Sequence, residues 1–174
     1  TALPPTTMYG MVNKAVEDMV LTHHGEATWL AIKQRAGIDA DFFVSNESYP
    51  DDITYKLVGA ASEVLATPAA DILFAFGEHW ILETAQKGYG PMMQAAGRNL
   101  GEFLAYLPRF HDRVVLMFPK LQPPHFEVTD RAERSLHLHY YSHREGLAPF
   151  TRGLISGLGK MFHTPARVTT LKER

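Results

Sequence analysis

The segment 135–146, SLHLHYYSHREG, carries its chemistry in alternation. Laid out as a β-strand, successive side chains point to opposite faces. Leu136, Leu138, Tyr140, Ser142 and Arg144 then share one face, and Ser135, His137, His139, Tyr141 and His143 the other. The first face starts apolar and ends in a phenol, a hydroxyl and a guanidinium. Arginine offers a fixed fork of donors matched to a carboxylate, and the two hydroxyls add further donors. The pattern describes a nest for anionic oxygens at the edge of an apolar surface. It equally describes an edge strand whose end dips into solvent with Arg144 simply hydrated.

A ligand with an apolar body and carboxylate tails would satisfy the whole face, and haem with its two propionates has that shape. The chain has no cysteine to hold iron, so its nine histidines are the next candidates. His111 lies in RFHDRVVLMFPK, with Leu107, Phe110, Val114, Val115 and Phe118 at helical spacings around it. A histidine on such a face is either a satisfied core histidine or an axial ligand. His23, His24, His79, His125 and His163 read as helix-end or surface histidines. His137 and His139 form the rival constellation, since i, i+2 side chains of a strand converge on one metal. A metal-dependent enzyme built on them would need a third ligand. His143 lies about 13 Å along the strand, and no acidic residue shares that face of the segment. Solvated histidines on an outer sheet face account for the same pattern.

The remaining composition narrows the function classes. With 174 residues, 45% hydrophobic and 21% charged, the chain suits one domain with a buried core. A formal charge of −2 gives no electrostatic reason to expect a nucleic-acid partner. No apolar run of about 18 residues is present, and the absence of cysteine accords with a reducing cytoplasm. There is no G-x-S-x-G, H-E-x-x-H, P-loop or G-x-G-x-x-G motif, so no catalytic constellation emerges. Residues 1–7, TALPPTT, read as a flexible extension before Met8.

These side chains need elements to position them. Helical periodicity predicts a helix over 9–23, broken by Gly25, and a second over EATWLAIKQRA that Gly37 can cap. Asp51 or Asp52 can N-cap a third helix to about Ala66. Pro68 opens a fourth, reaching about Gln86. A turn at KGYGP, a short helix near 91–97 and one long or broken helix over 100–119, with Pro108 as the break, follow. After Pro123-Pro124, FEVTD and the 135–146 segment read as strands. Residues 148–162 return to helix, where the Gly153 and Gly157 spacing suits either plain core packing or close approach of another element. ARVTTLKE alternates as a final strand. The fold class is α+β: a helical N-terminal subdomain, then a small antiparallel sheet with a packed helix.

Several fragments together resemble one family. MYGMVNKAVEDMV at 8–20, TYKLVGAASEVLATP at 54–68, the His111 helix leading to Pro123-Pro124, and Tyr140-x-Ser142-x-Arg144 are similar to the H-NOX family. That family comprises bacterial haem nitric-oxide/oxygen-binding sensors and the haem domain of soluble guanylate cyclase. The resemblance spans residues 8–174 and implies a single sensor domain with haem b between the two subdomains. It implies His111 as the iron ligand and Tyr140, Ser142 and Arg144 as the propionate-binding set. Pro124 would press on the porphyrin, and Val12 and Trp80 would line the distal pocket.

Two departures are informative. Oxygen-binding members carry a distal tyrosine three residues before a helix glycine, and counting back from Gly153 gives Phe150, which has no hydroxyl. The resemblance therefore implies a sensor that binds NO and CO and excludes oxygen, unless the Trp80 indole supplies a donor. Its partner would be a histidine kinase or a cyclic-dinucleotide enzyme. The family pattern also implies a further turn and strand beyond residue 174. Without it, the sheet would present an open edge.

Overall fold

Apolar helix faces in the first half of the chain close on one another. The computed structural model describes residues 6–172. β1 (Thr7–Tyr9) leads into α1 (Gly10–His24), and α2 (Glu26–Ala36) follows directly. Gly25 at φ 84° and Gly37 at φ 68° end these helices in backbone that a Cβ disfavours. β2 (Ser48–Pro50) pairs antiparallel with β1, Met8 opposite Tyr49. α3 (Asp51–Val64) and α4 (Ala69–His79) complete this half. Val16, Val20, Ile32, Leu57 and Ala61 are fully enclosed there and pack with Trp29, Phe43 and Phe76.

α4 continues without a break into a π-helical turn (Trp80–Ala85) and then α5 (Gln86–Ala95). α6 (Leu100–Met117) is capped by Asn99, whose side chain accepts the Glu102 N–H at 2.9 Å. β3 (His125–Thr129) and β4 (His137–Tyr141) form an antiparallel ribbon with Phe126 opposite Tyr140, and α7 (Ala148–Met161) closes the fold. Met93, Phe103, Leu104, Leu107, Phe110, Phe126 and Leu158 build a second hydrophobic cluster. Trp80 packs against both clusters.

The α4–α7 contact is made by glycine. A methyl group on Gly77 would overlap the Phe150 carbonyl, and one on Gly153 would overlap the Phe74 carbonyl. Backbone meets backbone there, as the Gly153 and Gly157 spacing suggested; Gly157 itself faces Ile81.

Several local expectations are corrected. Pro108 does not break α6, because the buried face formed by Phe103, Leu104, Leu107 and Phe110 runs across it and outweighs one missing backbone bond. KGYGP is not a turn; the helix passes through Gly90 and Pro91. Neither Asp51 nor Asp52 caps α3, whose N-cap is Pro50 with no side-chain bond. Of the extension at 1–7, residues 1–5 lie outside the described residues. The Thr6 carbonyl accepts the Asp51 N–H, and Thr7 belongs to β1. Residues 166–172 form no strand. They lie exposed with no strand paired beside them, so their alternation has no ladder to join. Among the described residues, no single helix is long and apolar enough to cross a membrane.

Candidate functional site

A cavity of about 260 Å³ is lined from both clusters, by Val58 and Phe76 of the first and by Phe103, Leu107, Phe110 and Phe126 of the second. All eight residues singled out in the sequence border it: Val12, Trp80, His111, Pro124, Tyr140, Ser142, Arg144 and Phe150. They come from α1, the π-helical turn, α6, the α6–β3 connector, β4, the bend after β4, and α7. The walls are apolar over most of their extent, and Thr7, Gln122, Ser142 and Arg144 of the lining are joined by hydrogen bonds.

His111 projects from α6 between Phe110 and Phe126, with ring centroids 6.2 and 5.8 Å away. Burial lowers its pKa to about 4, against a hydrogen bond with the Pro124 backbone and the charge of Asp112. The ring is therefore neutral at physiological pH. Proline offers only a carbonyl, so one ring N–H donates to it and the other nitrogen keeps its lone pair. A neutral imidazole oriented by a carbonyl is the form that ligates a metal.

At the polar end, β4 stops at Tyr141, so Ser142 and Arg144 do not lie in the strand that their alternation implied. They reach the cavity through a bend in which the Ser142 hydroxyl accepts the Arg144 N–H at 3.0 Å. The guanidinium is held on several sides. Nε donates to Asp51 at 2.9 Å, Nη1 to the Gln122 carbonyl at 2.8 Å, and Nη2 to the Thr7 carbonyl at 3.0 Å. Both side chains of the Asp51–Arg144 pair are almost enclosed. The Tyr55 hydroxyl donates to the Glu145 carbonyl at 3.0 Å and bridges α3 to the same bend. Burial raises the Tyr55 pKa, with Asp51 adding to the effect and Arg144 opposing it.

Another part of the lining is aromatic. Phe150 lies 5.1 Å from Phe76, and Trp80 stands edge-on to Phe76 at 6.2 Å. The glycine contact between α4 and α7 is what lets Phe150 come so close. The rival constellation does not assemble. His137 Nδ1 lies 2.7 Å from Asp130, and the Nε2 of His139 lies 2.7 Å from the Thr129 hydroxyl. The neighbouring strand does supply an acidic residue, Glu127 opposite His139. Yet among the described residues no three His, Cys, Asp or Glu side chains converge on a metal position.

The family profile described as haem-NO-binding matches residues 9–170. The chain belongs to the haem-NO-binding family. It is 26% identical to soluble guanylate cyclase gcy-31 of Caenorhabditis elegans over 94% of this chain and 24% of that protein. Over 52% of this chain it is 35% identical to the rat guanylate cyclase soluble subunit beta-2, covering 13% of that subunit. The chain thus spans about a quarter of the length of gcy-31. The fold matches an H-NOX protein from S. oneidensis in the Fe(II)NO ligation state with a TM-score of 0.80 at 21% identity, covering 90% of this chain and 86% of that one. An unliganded Fe(II) H-NOX mutant from K. algicida gives a TM-score of 0.80 at 22% identity, over 90% and 84% of the two chains.

Haem-NO-binding domains take haem b, and the donor set here fits it: a neutral, carbonyl-oriented imidazole, an apolar slot, and carboxylate-matching donors at one end. Sequence reasoning missed three members of the polar end. In the sequence Asp51 reads as a cap and Thr7 as part of an extension, and nothing marks Gln122. Asp51 is the one with a signal: it sits just after a proline, where the backbone already starts the helix and leaves its carboxylate free. Thr7 and Gln122 contribute only backbone carbonyls, which no side-chain pattern reveals.

Proposed function

We propose that residues 8–174 form one sensor domain that binds NO and CO at ferrous haem, excludes oxygen, and signals as a switch and not as a catalyst. The observation that carries the selectivity is Phe150 packed on Phe76, an aromatic wall with no hydroxyl. Dioxygen as a ligand gathers negative charge on its outer atom and gains from a donor there; NO and CO gain far less. A hydrogen bond to a charged acceptor is worth about 1.5–3 kcal/mol, and phenylalanine forfeits it.

Haem bound in this cavity would supply an iron that takes up a diatomic gas. His111 would hold the iron from α6, Tyr140, Ser142 and Arg144 would serve the propionates, and Pro124 would lie against the porphyrin. Val12, Trp80 and Phe150 form the gas-facing wall. Cleavage of the bond between that iron and His111 would untie α6 from the cavity. α6 is then free to shift against the first cluster, biasing an arrangement that a partner reads. A cytoplasmic histidine kinase or cyclic-dinucleotide enzyme suits that role. The test is the absorption spectrum of reduced protein under argon, CO, NO and air. Spectra that change with NO and CO, and stay as under argon in air, support the reading. A stable oxygen complex overturns the selectivity.

A further inference from the structure

His79, read from the sequence as a helix-end or surface histidine, is buried: its side chain is 4% exposed. Its Nε2 lies 3.0 Å from Oδ2 of Asp18, a half-exposed carboxylate on α1. The other ionisable groups beside it are Glu83 in the π-helical turn and His23 on α1, whose ring stands edge-on at 6.4 Å. Burial lowers the His79 pKa, with Asp18 and Glu83 opposing. A carboxylate only accepts, so Nε2–H donates to Asp18.

The position of this bond is what gives it consequence. His79 is the last residue of α4, and the π-helical turn begins at Trp80. A π turn takes more residues than an α turn, so the residue at which it starts decides which later side chains face inward. Trp80 borders the cavity and is the partly buried side chain common to both hydrophobic clusters. Asp18 lies on α1, the helix that also carries Val12 to the same cavity. One hydrogen bond therefore ties together the two elements that present Val12 and Trp80.

We propose that the Asp18–His79 bond is a positioning contact for the gas-facing wall, fixing where α4 gives way to the π-helical turn and so how Trp80 reaches into the cavity. The inference rests on the reading of Trp80 as part of that wall. His79 and Asp18 are positioning residues; neither borders the cavity.

The chain has two tryptophans, and Trp29, buried in the first cluster on α2, is a built-in control. The experiment uses the haem-loaded ferrous CO complex, which is diamagnetic, with ¹⁵N-labelled indoles. Asp18→Ala removes the acceptor at a half-exposed position that the fold tolerates. It should displace the Trp80 indole cross-peak and shift the CO stretching frequency while the Trp29 cross-peak stays in place. His79→Leu should do the same, and His79→Gln, which keeps an N–H donor, should restore the wild-type values. Movement of both tryptophans together, or of neither, overturns the positioning role alone. Absence of a porphyrin ring-current displacement on Trp80 in the wild type overturns the wall reading and this inference with it.

Discussion

The two ends of the cavity are held by opposite means. At the polar end, Arg144 is pinned by a carboxylate and two backbone carbonyls drawn from β1, α3 and the α6–β3 connector. At the aromatic wall, Phe150, Phe76 and Trp80 are placed by helix backbones in contact at Gly77 and Gly153, with no hydrogen bond among the rings. The polar end joins segments far apart in sequence, so losing one side chain there loosens several elements at once. The aromatic wall owes its chemistry to what it omits, so adding one atom changes it.

The largest effect should come from the polar end. Arg144→Ala leaves the Asp51 carboxylate enclosed without its partner, at a cost of about 3–5 kcal/mol. Urea unfolding should show that loss together with weakened haem retention. Arg144→Lys keeps the charge but not the fork, and should recover only part of it. An unchanged unfolding midpoint in Arg144→Ala would show that the pair contributes nothing.

His111 sharpens the comparison from between the two ends. Its proton affinity in the fold is depressed, from 6.5 to about 4, so the folded state favours the neutral ring. The stability it contributes in the haem-free protein is complete above pH 6.5 and is lost as pH falls towards 4, about 3 kcal/mol in all. Unfolding of wild type and His111→Leu at pH 7.5 and 4.5 measures it; an equal pH dependence in both proteins would show that another group is responsible. In the haem-loaded protein, His111→Gly should lose haem unless imidazole is supplied, read from the absorption spectrum.

Two changes at the aromatic wall should have smaller effects. Phe150→Tyr adds a hydroxyl and should raise oxygen affinity roughly tenfold to a hundredfold, the equivalent of about 1.5–3 kcal/mol. Spectra in air-saturated buffer test it, and no change would mean that the new hydroxyl points away from the gas. Gly153→Ala places a methyl on the Phe74 carbonyl and should cost about 1–3 kcal/mol. A thermal melt that matches wild type would show that α4 and α7 separate freely.

The helical character of the first two thirds was readable because 3.6-residue periodicity and glycine stops are local. So were the ribbon at 125–141 and the close approach at Gly153. Pro108 and KGYGP misled for one reason: a local cost was weighed without the buried face that overrides it. The alternating tail misled in the other direction, since alternation is necessary for a strand and a partner strand is what makes one.

By itself the sequence determined the chemistry available: a histidine on an apolar helix face, and a phenol, hydroxyl and guanidinium at one strand end. Those are properties of side chains and of short-range spacing, and they survive whatever the rest of the chain does. Tertiary structure decided which groups stand free and which are engaged. Asp51 became the partner of Arg144, Thr7 and Gln122 entered through their carbonyls, and His79 was taken inside to meet Asp18 across 61 positions of chain. Backbone acceptors are present at nearly every residue, and burial is set by what packs on top. Only the closed fold selects among them.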